Sequence, residues 1–67
     1  MKTKWLISVE HGAMEQVAKE LRKKGIADIE ALDAIGVIVI VPGEQKIADI
    51  KKIDGVINVE EERDISI

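Results

Sequence analysis

The chain has 67 residues, enough for one domain and no more. It contains no cysteine, which excludes disulfides and thiolate metal sites. A formal net charge of −3 argues against nucleic acid as a partner, and no apolar run approaches the roughly 20 residues of a bilayer span.

The apolar residues are nearly all Ile, Val, Leu and Ala, and Trp5 is the only aromatic. The start, Met1-Lys2-Thr3-Lys4, is basic, but the apolar run after it breaks at Ser8 and Glu10. That run is too short for a secretory signal, so a cytoplasmic protein is expected.

Residues 4–10 alternate as a first strand, with Trp5, Ile7 and Val9 on one face and Leu6 and Ser8 on the other. His11-Gly12 is a short connection. The spacing of Met14, Val17, Ala18 and Leu21 predicts a helix over 13–24 with one buried stripe. Glu15 with Lys19, and Glu20 with Lys24, stand at favourable i,i+4 spacing. Arg22, Lys23 and Lys24 suit the negative end of the helix dipole, and Gly25 supplies the stop.

A weaker strand over 26–32 alternates around Ile29 and Ala31, and Asp33-Ala34-Ile35-Gly36 reads as a hairpin turn. Residues 37–41, Val-Ile-Val-Ile-Val, are apolar on both faces and predict a central strand. Pro42-Gly43 ends it. A second helix is expected over 44–53, with Ile47, Ile50 and Ile53 on its buried stripe. Asp54-Gly55 turns the chain into a last strand from Val56.

The order β-α-β-β-α-β predicts an α+β, ferredoxin-like sandwich. Right-handed crossovers give a four-stranded antiparallel sheet in the order 4-1-3-2, with both helices on one face. The other face stays open. Either Val37, Val39 and Val41 or Ile38 and Ile40 must lie there beside Leu6, an apolar patch of the kind that marks a contact surface.

No catalytic constellation is visible. His11 is the only histidine and reads as a surface loop residue; Ser8 and Ser66 lack an evident base and orienting acid. No phosphate-binding glycine pattern occurs. An enzyme is not expected, nor any cofactor. Glu60, Glu61, Glu62 and Asp64 are better read as solvated surface charge than as a metal site, because on a strand only Glu60 and Glu62 share a face. After the carboxylates the chain runs on to Ile65-Ser66-Ile67, an apolar end where termini are usually polar. Ile65 and Ile67 either extend the last strand onto the protein itself or dock elsewhere.

Residues 46–62 carry a lysine-rich helix, a short Asp-containing turn, an apolar strand and then Val59-Glu60-Glu61-Glu62. This half of the chain resembles the C-terminal half of subtilisin propeptides and of the free-standing protease inhibitors of that family. The likeness extends weakly to the whole chain. It implies a domain that binds and inhibits a subtilisin-type serine protease, or assists its folding as an intramolecular chaperone. In such domains the open sheet face packs on two surface helices of the protease. Acidic residues at the end of the last strand cap the N-termini of those helices, and the tail enters the substrate cleft as an added strand.

Carried over by position, Glu60 and Glu62 would be the caps. Arg63 and Asp64 would lead into the cleft, and Ile65, Ser66 and Ile67 would occupy its subsites. The tail departs from the pattern by stopping short of the position next to the scissile bond. A propeptide continues into its enzyme, so a stand-alone relative or an excised or engineered domain is expected. The other reading of the residues is a small regulatory domain that binds a ligand near His11-Gly12, or pairs with itself through edge strands or the open sheet face.

Overall fold

The structure is a computed structural model and describes residues 4–62. Its elements are β1 (Lys4–Val9), α1 (Met14–Lys23), β2 (Ile29–Leu32), a 3-10 turn (Asp33–Ile35), β3 (Val37–Ile40), α2 (Ile47–Lys51) and β4 (Val56–Glu62). All strand pairs are antiparallel, and the sheet runs β2-β3-β1-β4, which is the expected order counted from the other edge. Among the described residues no helix is long and apolar enough to cross a membrane.

The pairing register sorts every strand residue onto a face. Trp5 opposes Ile40 and Ile7 opposes both Ile38 and Val59, so these side chains share one face of the sheet. They are buried in one core with Val17, Ala18 and Leu21 of α1 and with Ile50 and Ile53 at α2. Both helices therefore cover the same face. Met14 and Ile47, expected in the buried stripes, are partly buried at the margin of that core.

Helix α1 ends as its sequence dictates. Gly25, at φ +90°, donates to the Arg22 carbonyl (3.0 Å), and Ile26 donates to the Leu21 carbonyl (3.2 Å). This is the Schellman arrangement, in which a left-handed glycine is followed by an apolar residue that folds back on the last turn. Ile26 is accordingly buried beside Leu21. It belongs to the helix stop rather than to β2, which starts only at Ile29. On the helix surface Glu20 pairs with Lys23 (3.6 Å), not with Lys24, whose backbone caps the helix. The pair is exposed and adds little stability.

Helix α2 is shorter than the expected 44–53, because the chain bends at Gly43 and Glu44 and is still extended at Lys46 before the helix starts at Ile47. Gln45 holds this stretch in place. Its Oε1 accepts from the Gly43 N–H (2.9 Å) and its Nε2 donates to the Lys24 carbonyl at the end of α1 (2.8 Å). Both bonds are exposed, so Gln45→Ala is expected to cost only about 1 kcal/mol, the usual net worth of hydrogen bonds. Gln45→Glu keeps the acceptor for Gly43 but sets an oxygen against the Lys24 carbonyl, and it should cost as much. Urea unfolding of the two variants checks this.

Candidate docking face

The second face of the sheet is not covered by either helix. On it lie Lys4, Leu6 and Ser8 of β1, Val37 and Val39 of β3, Glu30 and Leu32 of β2, and Asn58, Glu60 and Glu62 of β4. The valine set of β3 thus faces outward and the isoleucine set inward. The choice follows size: Ile38 and Ile40 fill the space under the helices and are almost fully buried, while Val37 and Val39 are half-buried.

The register aligns these residues into rows across the strands. Glu30 opposes Val39, Val39 opposes Leu6, and Leu6 opposes Glu60. One row therefore reads carboxylate, apolar, apolar, carboxylate from edge to edge. The next row reads Leu32, Val37, Ser8, Asn58. Beyond the first row, Lys4 opposes Glu62, and Val41 donates its N–H to the Asp28 carbonyl (3.3 Å) at the end of β2 and β3. A shallow concavity of about 370 Å³ at this corner is lined by Lys4, Glu30, Val39 and Val41. The face is an apolar strip interrupted by Lys4, Ser8 and Asn58, with Glu30 on one edge and Glu60 and Glu62 on the other.

Glu60 and Glu62 stand on this face and Glu61 on the other, where it opposes Trp5. Asn58 Nδ2 donates to Glu60 Oε1 (3.1 Å) and orients that carboxylate. All three glutamates are exposed. Arg63, Asp64, Ile65, Ser66 and Ile67, the segment expected to enter a protease cleft, lie outside the described residues.

Two apolar side chains break the pattern. Ile57 is 64% exposed because a bulge interrupts the β1–β4 ladder: Ser8 opposes Asn58 but Val9 opposes Val56, which leaves Ile57 without a partner. Ile35, in the 3-10 turn, is 68% exposed.

His11 and Gly12 are exposed and border a concavity of about 340 Å³ with Glu10, Glu15 and Asp33. Among the described residues no group of three or more His, Cys, Asp or Glu side chains is placed to hold a metal ion. Glu30 was not singled out by sequence pattern, because it acquires its place only through pairing with Val39. Comparison with protein-family models, with curated proteins and with solved structures finds no match to this chain.

Proposed function

We propose that this chain is a ferredoxin-like, subtilisin propeptide-like module that binds and inhibits a subtilisin-type serine protease, or assists its folding, and has no catalytic activity of its own. The observation that supports the reading best is the common placement of Glu60 and Glu62 with Leu6, Val37 and Val39 on the uncovered sheet face. Such a face can pack on surface helices of a protease while the two carboxylates meet unpaired N–H groups at helix N-termini, where negative charge is favoured. The tail, residues 63–67, would then continue into the substrate cleft as an added strand.

Changing Glu60 and Glu62 together to Gln tests this division of labour. Each charge at a helix N-terminus is worth typically about 0.3–1 kcal/mol. The double variant should therefore inhibit a subtilisin a few-fold to some tens-fold more weakly than the parent, with an unchanged circular dichroism spectrum. Deleting residues 65–67 should weaken competitive inhibition more, again with an unchanged circular dichroism spectrum. Equal inhibition by all three proteins would remove both the face and the tail from the binding site.

A further inference from the structure

The outer edge of β2 lies across the sheet from β4 and has a template of its own. The bond from the Val41 N–H to the Asp28 carbonyl sets the phase of the β2–β3 ladder. Bonded and non-bonded pairs alternate along an antiparallel ladder, so Glu30 with Val39 and Leu32 with Val37 are the next bonded pairs. Ile29 and Ala31 fall between them and turn their N–H and C=O groups to the open edge. Groups so placed can pair with an added strand.

The side chains along this edge form a groove. Ala31 lies on the helical face, opposite the fully buried Ile38, yet is itself exposed. Helix α1 therefore leaves the β2 edge uncovered. A concavity of about 400 Å³ runs between them, with Ala31 on one side and Met14 and Ala18 on the other. Glu15, Lys19 and Arg22, a stripe at i, i+4, i+7 spacing on α1, border it as well. Arg22 is at the end of α1 that leads into β2, and Asp33 follows the last residue of β2. Glu15 and Asp33 also share the neighbouring concavity at His11, so they stand at the same end. The groove is thus acidic beyond Leu32 and basic toward Ile29.

We propose that this groove binds an extended peptide segment, which adds antiparallel to β2 as a fifth strand. The segment carries a basic residue, an apolar residue two positions on and an acidic residue two further. The apolar residue exchanges both backbone bonds with Ala31, and its side chain enters the groove. The acidic residue pairs in the same way with Ile29 and meets Lys19 and Arg22, while the basic residue meets Glu15 and Asp33. The residue before the acid falls opposite Glu30 on the other face, where a second cation is favoured. Main-chain bonds supply the affinity of such an added strand and alternate side chains its specificity. The proposal goes beyond the protease reading and does not rest on it, since Glu60 and Glu62 stand on the opposite edge strand.

A second copy of β2 is a poor occupant. Pairing Ile29 of each copy with Ala31 of the other uses all four edge groups. It also sets Glu30 directly against Glu30, and like charges so placed destabilise a ladder.

The test titrates the full chain with synthetic peptides, capped at both ends, whose core is Lys-Thr-Leu-Lys-Glu. An N-methyl group on the Leu nitrogen removes a donor to β2. One on the second Lys nitrogen, which faces away, removes none. By calorimetry the first should bind about three- to tenfold more weakly than the parent and the second within about twofold of it. Exchanging the first Lys with the Glu keeps the composition but should weaken binding about two- to fivefold at each end. Arg22→Gln should weaken the parent peptide by one such factor. In nuclear magnetic resonance, bound peptide should slow hydrogen exchange at the Ile29 and Ala31 amides.

Equal effects of the two N-methyl groups, equal binding of the exchanged peptide, an unchanged affinity in Arg22→Gln, unaltered exchange at Ile29 and Ala31, or no binding at millimolar peptide would each overturn the proposal. So would a dimer in sedimentation whose Ile29 and Ala31 amides are protected without peptide.

Discussion

Replacing Ile50 by Ala is expected to destabilise the domain by about 2–5 kcal/mol, the usual range for truncating a fully buried Ile or Leu. Ile50 has no exposed surface and is the only buried residue within α2. That helix has five residues, far below the roughly 12–15 at which an isolated helix begins to hold its own shape. It persists because Ile50 is seated against the sheet, with Ile53 just beyond the helix. Leu21→Ala should cost a similar amount, since Leu21 is fully buried and also receives Ile26 at the helix stop. At roughly 0.05–0.15 kcal/mol per residue, a chain of this length has about 3–10 kcal/mol in total. Either variant should therefore be largely or partly unfolded at room temperature by circular dichroism. Ile50→Val, which removes one methyl group, should lose only about 0.5–1.5 kcal/mol. A loss below about 1 kcal/mol for both alanine variants would be inconsistent with the burial described.

Gly55→Ala is the second substitution with a large expected effect, of about 2–6 kcal/mol, and two separate causes add. Gly55 has φ +99°, a conformation that costs a residue with a Cβ roughly 1–3 kcal/mol. A Cβ there would also stand 2.8 Å from Ala13 Cβ and 3.2 Å from Val17 Cγ2. Overpacking of this kind typically costs about 1–3 kcal/mol. Relief by moving the backbone is opposed by the Glu10 N–H, which donates to the Gly55 carbonyl at 2.8 Å and ties β1 to the turn before β4. Gly12 separates the two causes. It has φ +83° but open space where a Cβ would go. Gly12→Ala should show the conformational cost alone, and the difference between the two variants in denaturant unfolding measures the steric part. Equal losses would mean that the α1 start and the β4 turn are not in contact.

Much of this fold was legible in the sequence because its core relies on simple periodicities. The alternation of Trp5, Ile7 and Val9, and the doubly apolar run from Val37, identify two strands and place them centrally in the sheet. The expected elements appear in the expected order, with boundaries shifted by at most three residues. The shifts have local causes. Ile26 looks like the start of a strand but serves the helix stop, and Gln45 looks helical but braces the loop before α2 against the Lys24 carbonyl.

What the sequence left open was pairwise. Whether valines or isoleucines of β3 face outward depends on which set meets the helices, a choice that the β1 and β2 registers make visible. Ile57 reads as an ordinary strand residue, and only the bulge against Val9 puts it in solvent. Glu30 has no distinguishing local context at all. Its relation to Glu60 exists only through two intervening strands, and no pattern within either segment encodes it. Glu60 and Glu62 were identifiable because their relation is local, two residues apart on one strand.

The central claim is that this domain docks on a subtilisin-type protease through the open face and the segment that follows β4. The most direct measurement is a titration of the intact chain against several subtilisins, following hydrolysis of a chromogenic peptide. The account predicts competitive inhibition, with the chain surviving incubation with the protease. No inhibition at high micromolar concentration, or steady digestion of the chain as a substrate, would contradict it.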